Sequence, residues 1–199
     1  MSIVLNAAVT DQGVTTPALA INPSRLSVTA CGWATVSSLS MPHGDSVLFG
    51  VMSSGASHVL QFGIRDSGSS VAGLYMTRLR DSFQIYRIQT ANNDLLGAAN
   101  LDVNQPFFWC VQHNGLINDP AAAAATNGQI WVRRPADPAA VQLVNGIAAF
   151  PDSSDTLNNT GASQLWWYGN RAALTHAHRG SVWDTAVWTA AAGQHCLSP

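Results

Sequence analysis

Two histidines separated by a single residue, His176 and His178 in "THAHRG", are the sharpest chemical signal in the chain. Residues two apart on an extended strand project to one side, so both imidazoles could hold a metal ion, with Asn170 or Asp184 as a third ligand. A structural zinc site wants four ligands, and no Cys pair accompanies these two, so the competing reading is a polar loop beside Arg179. A second set, "FPDSSDTLNNTG", offers Asp152, Asp155, Asn158 and Asn159, oxygen ligands of the kind calcium takes. Their spacing is not the ordered one of an EF-hand, and any turn contains the same residue types. The expectation is therefore no resident cofactor, with calcium as the one ion these residues suit.

Catalytic chemistry is narrowed further by what is missing. Charged residues make up 10% of the chain, against about 25% in ordinary globular proteins. Every base is Arg and every acid is Asp, with Lys and Glu absent. No Lys means no Schiff base and no phosphate-loop lysine, and no Glu removes the glutamate pairs of most glycosidases. No Gly-x-Ser-x-Gly elbow is present, and nothing in the order of Ser, His and Asp selects a triad. These absences point away from an enzyme.

The net charge of −2 is spread along the chain without a basic block, which gives no footprint for nucleic acid. The start, "MSIVLNAAVTDQG", lacks a positive n-region and a long apolar run, so neither a signal peptide nor a membrane span is expected, and folding in the cytosol is. Cys31, Cys110 and Cys196 are odd in number and far apart, the pattern of small buried hydrophobes rather than of a disulfide framework.

For recognition the best stretch is "LWWYGN", with Arg171 after it. Alternation puts Trp166 and Tyr168 on one side of a strand and Trp167 on the other. With Asn170 and Arg171 they form a candidate contact surface for a sugar ring or a partner protein. Trp33, Trp109 and Trp131 read instead as packing between sheets. Arg78, Arg80 and Arg87 form a small guanidinium group that could meet an acidic partner, or could be ordinary solvated strand charges.

The elements that must position these residues are strands. Short β-branched, aromatic and aliphatic runs recur between Gly, Asn, Asp, Ser and Pro, giving about ten strands and predicting two packed antiparallel sheets. In "LSVTACGWATV" both alternating sets are small or apolar, which predicts an internal strand. At most one short helix is expected, from Asp119 as N-cap and Pro120 through the alanine run to Asn127 or Gly128. With no linker and no repeat, residues 1–199 read as one domain.

The succession of "SVTACGWATV", "FFWCVQHNG" with "GQIWVRR", "LWWYGN" and "GSVWDTAVWTAAAG" resembles the concanavalin A-like lectin/glucanase superfamily in its laminin G-like branch. In that branch the last strand has the form Gly-x-Ile-Asp-Asp-Val-x-Ile-Tyr-Asn-x-Ala. Gly180, Val182, Asp184, Val187, Trp188 and Ala191 fall on its Gly, Ile, second Asp, Ile, Tyr and Ala, while Trp183 and Thr185 depart from it. The resemblance implies an all-β jelly-roll sandwich whose C-terminal strand returns beside the N-terminal one. It also implies that Trp183, Thr185 and Val187 face the space between the sheets, with Val182, Asp184, Ala186 and Trp188 on the opposite side. The Glu-x-Asp-x-x-Glu strand of the glucanases has no counterpart here.

Such a fold fixes no function by itself. Soluble domains typically show about 25–35% charged residues on their exterior, and a chain with so few must cover itself with small polar and apolar groups suited to contact with other subunits. The expected function is a non-catalytic structural or binding module. The setting expected by analogy is a bacteriophage virion, as a capsid decoration or tail-associated protein assembled in the host cytoplasm. Its partners would be other virion or capsid subunits and copies of itself. The alternative is a lectin or adhesin that binds a glycan through Trp166–Arg171.

Overall fold

The computed structural model describes residues 2–4, 14–15, 26–37, 45–53, 58–66, 72–80, 83–89, 104–113, 128–135, 137–142, 146–149, 163–167 and 180–191. Thirteen strands are found there and no helix: β1 (Ser2–Val4), β2 (Val14–Thr15), β3 (Leu26–Ala34), β4 (Asp45–Ser53), β5 (His58–Asp66), β6 (Ala72–Arg80), β7 (Phe83–Gln89), β8 (Phe107–His113), β9 (Gly128–Arg133), β10 (Val141–Gln142), β11 (Gly146–Ala149), β12 (Ser163–Trp167) and β13 (Ser181–Ala191). The alanine run expected as a short helix lies outside the described residues. β1, β2 and β11 are edge strands too short to show a period in the sequence.

All pairings are antiparallel, in a six-stranded sheet of order β1-β13-β3-β8-β9-β10 and a seven-stranded sheet of order β11-β7-β6-β5-β4-β12-β2. The chain passes between the sheets after β1, β2, β3, β7, β10 and β12, while β4 to β7 form a continuous meander. This is a two-sheet jelly-roll sandwich. β13 lies between β1 and β3, so the last strand does return beside the first.

Alternation decides what fills the space between the sheets. On β3 and just beyond it, Val28, Ala30, Ala34 and Val36 are buried and point inward. From β8 come Phe107, Trp109 and Val111, and from β9 Ile130 and Val132. The seven-stranded sheet answers with Phe49, Phe62, Ile64, Leu74 and Met76. Trp109 is fully buried and meets Phe62 across the gap with ring centroids 5.1 Å apart. Its Nε1 has no hydrogen-bond partner, so packing alone seats the ring. Gly32 is opposite Trp109 on the neighbouring strand, and a Cβ there would come within 3.3 Å of the indole and 2.8 Å of Thr185 Cγ2. The small residues of β3 are therefore a bed for one large aromatic.

Two local devices set the ends of the strands. Thr35 N donates to the Ser181 carbonyl at 2.8 Å and Ser181 N donates back to Thr35 Oγ1 at 3.0 Å, which fixes where β13 begins against the end of β3. After β9, Asp137 accepts from Arg134 N at 2.9 Å, Nε at 2.7 Å and Nη2 at 3.1 Å, while Asp137 N closes a turn onto the Arg134 carbonyl. The Arg134 side-chain hydrogen bonds hold the Asp137 carboxyl below its usual pKa of 3.8.

Candidate functional site

The outward side of the six-stranded sheet is built by the same alternation that fills the core. Reading across β13, β3, β8 and β9, Trp183, Trp33, Phe108 and Arg133 stand in one register row. Trp33 stacks on Trp183 at 6.4 Å with the planes 11° apart, and meets Phe108 edge-on at 5.7 Å. The next row is Ala186, Cys31, Cys110 and Trp131, and the one after it Trp188, Thr29, Gln112 and Gln129. Large rings thus fill most of the first row and one end of each of the other two, with Arg133 exposed at the end of the first.

A β-bulge produces this arrangement. The register between β13 and β3 shifts between Trp183 and Ala186, and Asp184 takes a φ of 50° with its side chain exposed. An extra residue in a left-handed conformation is what a bulge inserts, and Asp tolerates that region better than most. The family resemblance implied Trp183, Thr185 and Val187 on the core side, with Val182, Asp184, Ala186 and Trp188 on the other. The structure keeps Thr185 and Val187 on the core side and Ala186 and Trp188 on the outer one, and corrects Trp183 and Val182. Val182, fully buried, pairs with Ala34 and points inward, whereas Trp183 faces outward against Trp33. Beyond the bulge Thr185 approaches Gly32 on the core side, and Trp188 joins Trp183 on the outer face. The spacing alone could not show this, because one inserted residue reverses every side chain on one side of it.

Two of the tryptophans read as packing between the sheets are likewise reassigned. Trp109 is there, but Trp33 and Trp131 belong to the outer face. Trp131 is still only 8% exposed, whereas Trp188 at 38% is the exposed large hydrophobic among the described residues. Thr29, beside Trp188 in register, is buried with its Oγ1 lacking a hydrogen-bond partner.

The middle row corrects the reading of the cysteines. Cys31 and Cys110, far apart in sequence, are directly opposed on β3 and β8, and both are half-buried rather than core residues. The hydrogen bond between them eases ionisation of Cys31, lowering its pKa to about 7, while that bond, burial and the charge on Cys31 push Cys110 far up. Cys196 lies outside the described residues.

Of the expected contact stretch, Trp166 and Trp167 fall on β12. Trp166 pairs with Gly50 and Thr15, and Trp167 with Phe49 and Val14. Phe49 is a core residue, so the register separates the row of Trp167 from that of Trp166. Across the seven-stranded sheet the Trp166 row continues as Gly50, Gln61, Thr77 and Arg87. Gln61 is 5% exposed, and its Nε2 has no hydrogen-bond partner. Arg87 is opposite Thr77 and not Arg78, which puts the two arginines in adjacent rows. Tyr168, Asn170, Arg171, His176, His178, Asp152 and Asp155 all lie outside the described residues. Among the described residues no three His, Cys, Asp or Glu side chains are grouped so as to hold a metal ion.

No protein-family model matches the sequence, and no curated protein matches it significantly. Among solved structures the chain is similar to a native heptameric SAP-like pentraxin from Limulus polyphemus, at TM-score 0.46 and 11% identity over 92% of this chain and 78% of that one. It is similar to domains LG4-5 of the mouse laminin alpha1 chain, at TM-score 0.45 and 9% identity over 94% of this chain and 40% of that one. A full-length tailspike protein from an Escherichia coli O157:H7 bacteriophage gives TM-score 0.49 and 14% identity over 89% of this chain and 21% of that one. The chain therefore spans less than half the length of the laminin fragment and a smaller share of the tailspike. At such identities the likeness is to an arrangement of strands and extends to no activity or ligand.

Proposed function

We propose that the chain is a non-catalytic binding module that docks through the outer face of the six-stranded sheet, with Trp188 as its anchor. The observation that carries this reading is the 38% exposure of Trp188 on a face already lined by Trp33, Phe108, Trp131 and Trp183. Tryptophans in such settings dominate the energy of protein interfaces, and apolar surface flanked by few charges gains most from being covered. A charged fraction of 10% supports contact with other protein subunits. In the finer form of the proposal those subunits belong to a bacteriophage particle, as capsid decoration or tail component, together with copies of this chain. Binding of the purified protein to preformed particles should be saturable, and Trp188→Ala should weaken it about 30-fold, the effect of a ~2 kcal/mol hot spot. An unchanged affinity would remove the outer face from the interface.

A second reading, glycan binding, is favoured by a different observation, the row that sets Trp166 beside Gly50. An aromatic residue in one register row with a residue that has no side chain is a combination that suits stacking on a sugar ring. Glycan-array signal abolished by Trp166→Ala and indifferent to Trp188→Ala would replace the first reading with this one.

A further inference from the structure

We propose that Cys31 and Cys110 are a modification site, a dithiol on the outer face of the six-stranded sheet that low-molecular-weight disulfides close reversibly into a cross-strand disulfide. The inference is independent of what the face binds. Directly opposed residues of an antiparallel pair have Cα atoms about 4.5 or 5.5 Å apart according to the pair type, and a disulfide accepts about 4.4–6.8 Å. Either pair type therefore admits the bond. The Cβ atoms of opposed residues stand about 4.5–5.5 Å apart, wider than the roughly 3.5–4.5 Å of a relaxed disulfide, so β3 and β8 must draw together slightly. A bond formed under that constraint is more oxidising and more easily reduced than a structural one, which is the behaviour of a reversible couple.

The two cysteines are directly opposed in register, and both are half-buried, so a small reagent has access to them. With no third ligand among the described residues, the pair fits a disulfide better than a tetrahedral metal site.

Their roles differ. The Cys31 thiolate, held by the Cys110 S–H, attacks one sulfur of oxidised glutathione. The glutathione S–S bond breaks, and the departing thiolate takes a proton from water. Once Cys31 is capped it no longer carries the charge and the hydrogen bond that keep Cys110 protonated. Cys110 then loses its proton to solvent and attacks the Cys31 sulfur, releasing a second glutathione. In sum two protein thiols are oxidised to one disulfide and one glutathione disulfide is reduced to two thiols. Excess reduced glutathione runs the sequence backward.

The test uses the full chain carrying Cys196→Ser, equilibrated natively in glutathione buffers of increasing oxidised share, alkylated, and mapped by non-reducing peptide mass spectrometry. A Cys31–Cys110 linked peptide should rise with the oxidised share and vanish on added dithiothreitol. With Cys110→Ser also present, a stable glutathione adduct should accumulate on Cys31. With Cys31→Ser instead, Cys110 should react roughly tenfold more slowly, as expected for a thiol without a lowered pKa. Absence of the linked peptide at every buffer ratio, in protein that keeps its β-type circular dichroism, would overturn the proposal. Equal reaction rates of the two single thiols would overturn the order of attack.

Discussion

Gly32→Ala tests the bulge on which the outer face depends. A Cβ at position 32 would lie 2.8 Å from Thr185 Cγ2, 3.3 Å from Thr185 Cα and 3.3 Å from the Trp109 ring, where ordinary contact begins near 3.4 Å. The methyl must therefore yield by about 0.6 Å, the difference between those values. Thr is stiff at χ1, and the indole is wedged against Phe62, so neither neighbour swings away freely. Overpacking of this kind costs about 1–3 kcal/mol, offset by about 0.4–1 kcal/mol from the reduced freedom of the unfolded chain. A net loss of about 1–2 kcal/mol follows, read as a lowered urea midpoint at unchanged slope by tryptophan fluorescence. Thr185→Ser deletes the obstructing methyl, so in that background Gly32→Ala should cost close to nothing. The double-mutant cycle should give a coupling on the order of 1 kcal/mol, within the range of contacting residues. A Gly32→Ala variant within about 0.5 kcal/mol of the parent, with no coupling to Thr185, would mean that Thr185 is not on the core side and that β13 continues without a bulge.

Asp184 should accept Asn with little change, whereas Asp184→Val, β-branched at a φ of 50°, should lose roughly 1–2 kcal/mol in the same unfolding assay. Trp183→Ala removes a ring stacked on Trp33 but lying outside the core, so its cost should be about 1–3 kcal/mol, below the roughly 3–5 kcal/mol expected for Trp109→Ala; melting of the two variants side by side ranks them. Trp188→Ala should cost less than Trp183→Ala, because 38% of Trp188 is already exposed. Because the folded pKa of Asp137 is depressed by Arg134, its contribution, on the order of 1 kcal/mol or less, is complete above its ordinary pKa and lost as pH falls through the lowered value. Asp137→Asn should therefore be less stable than the parent at pH 7, with the gap closing in strong acid, as followed by denaturation across pH.

The sequence by itself determined the class of fold and most of its strands. Runs such as "LSVTACGWATV" and "FFWCVQH" carry their period in residue type, and β3 proved internal because both of its sides are small or apolar. The lack of Lys and Glu was legible in the same direct way, since composition needs no geometry. What only the tertiary structure decided is which side each aromatic occupies. One inserted residue, Asp184, turned Trp183 out of the core and brought it onto the face shared with Trp188. Sequence alternation has no means of marking an insertion, because the evidence for it lies in the partner strand. The approach of Cys31 to Cys110 and of Trp166 to Gly50 and Gln61 is of the same kind. Register across hydrogen-bonded strands is a relation between distant segments, fixed when the sheets close over Trp109, and no single stretch of the chain contains it.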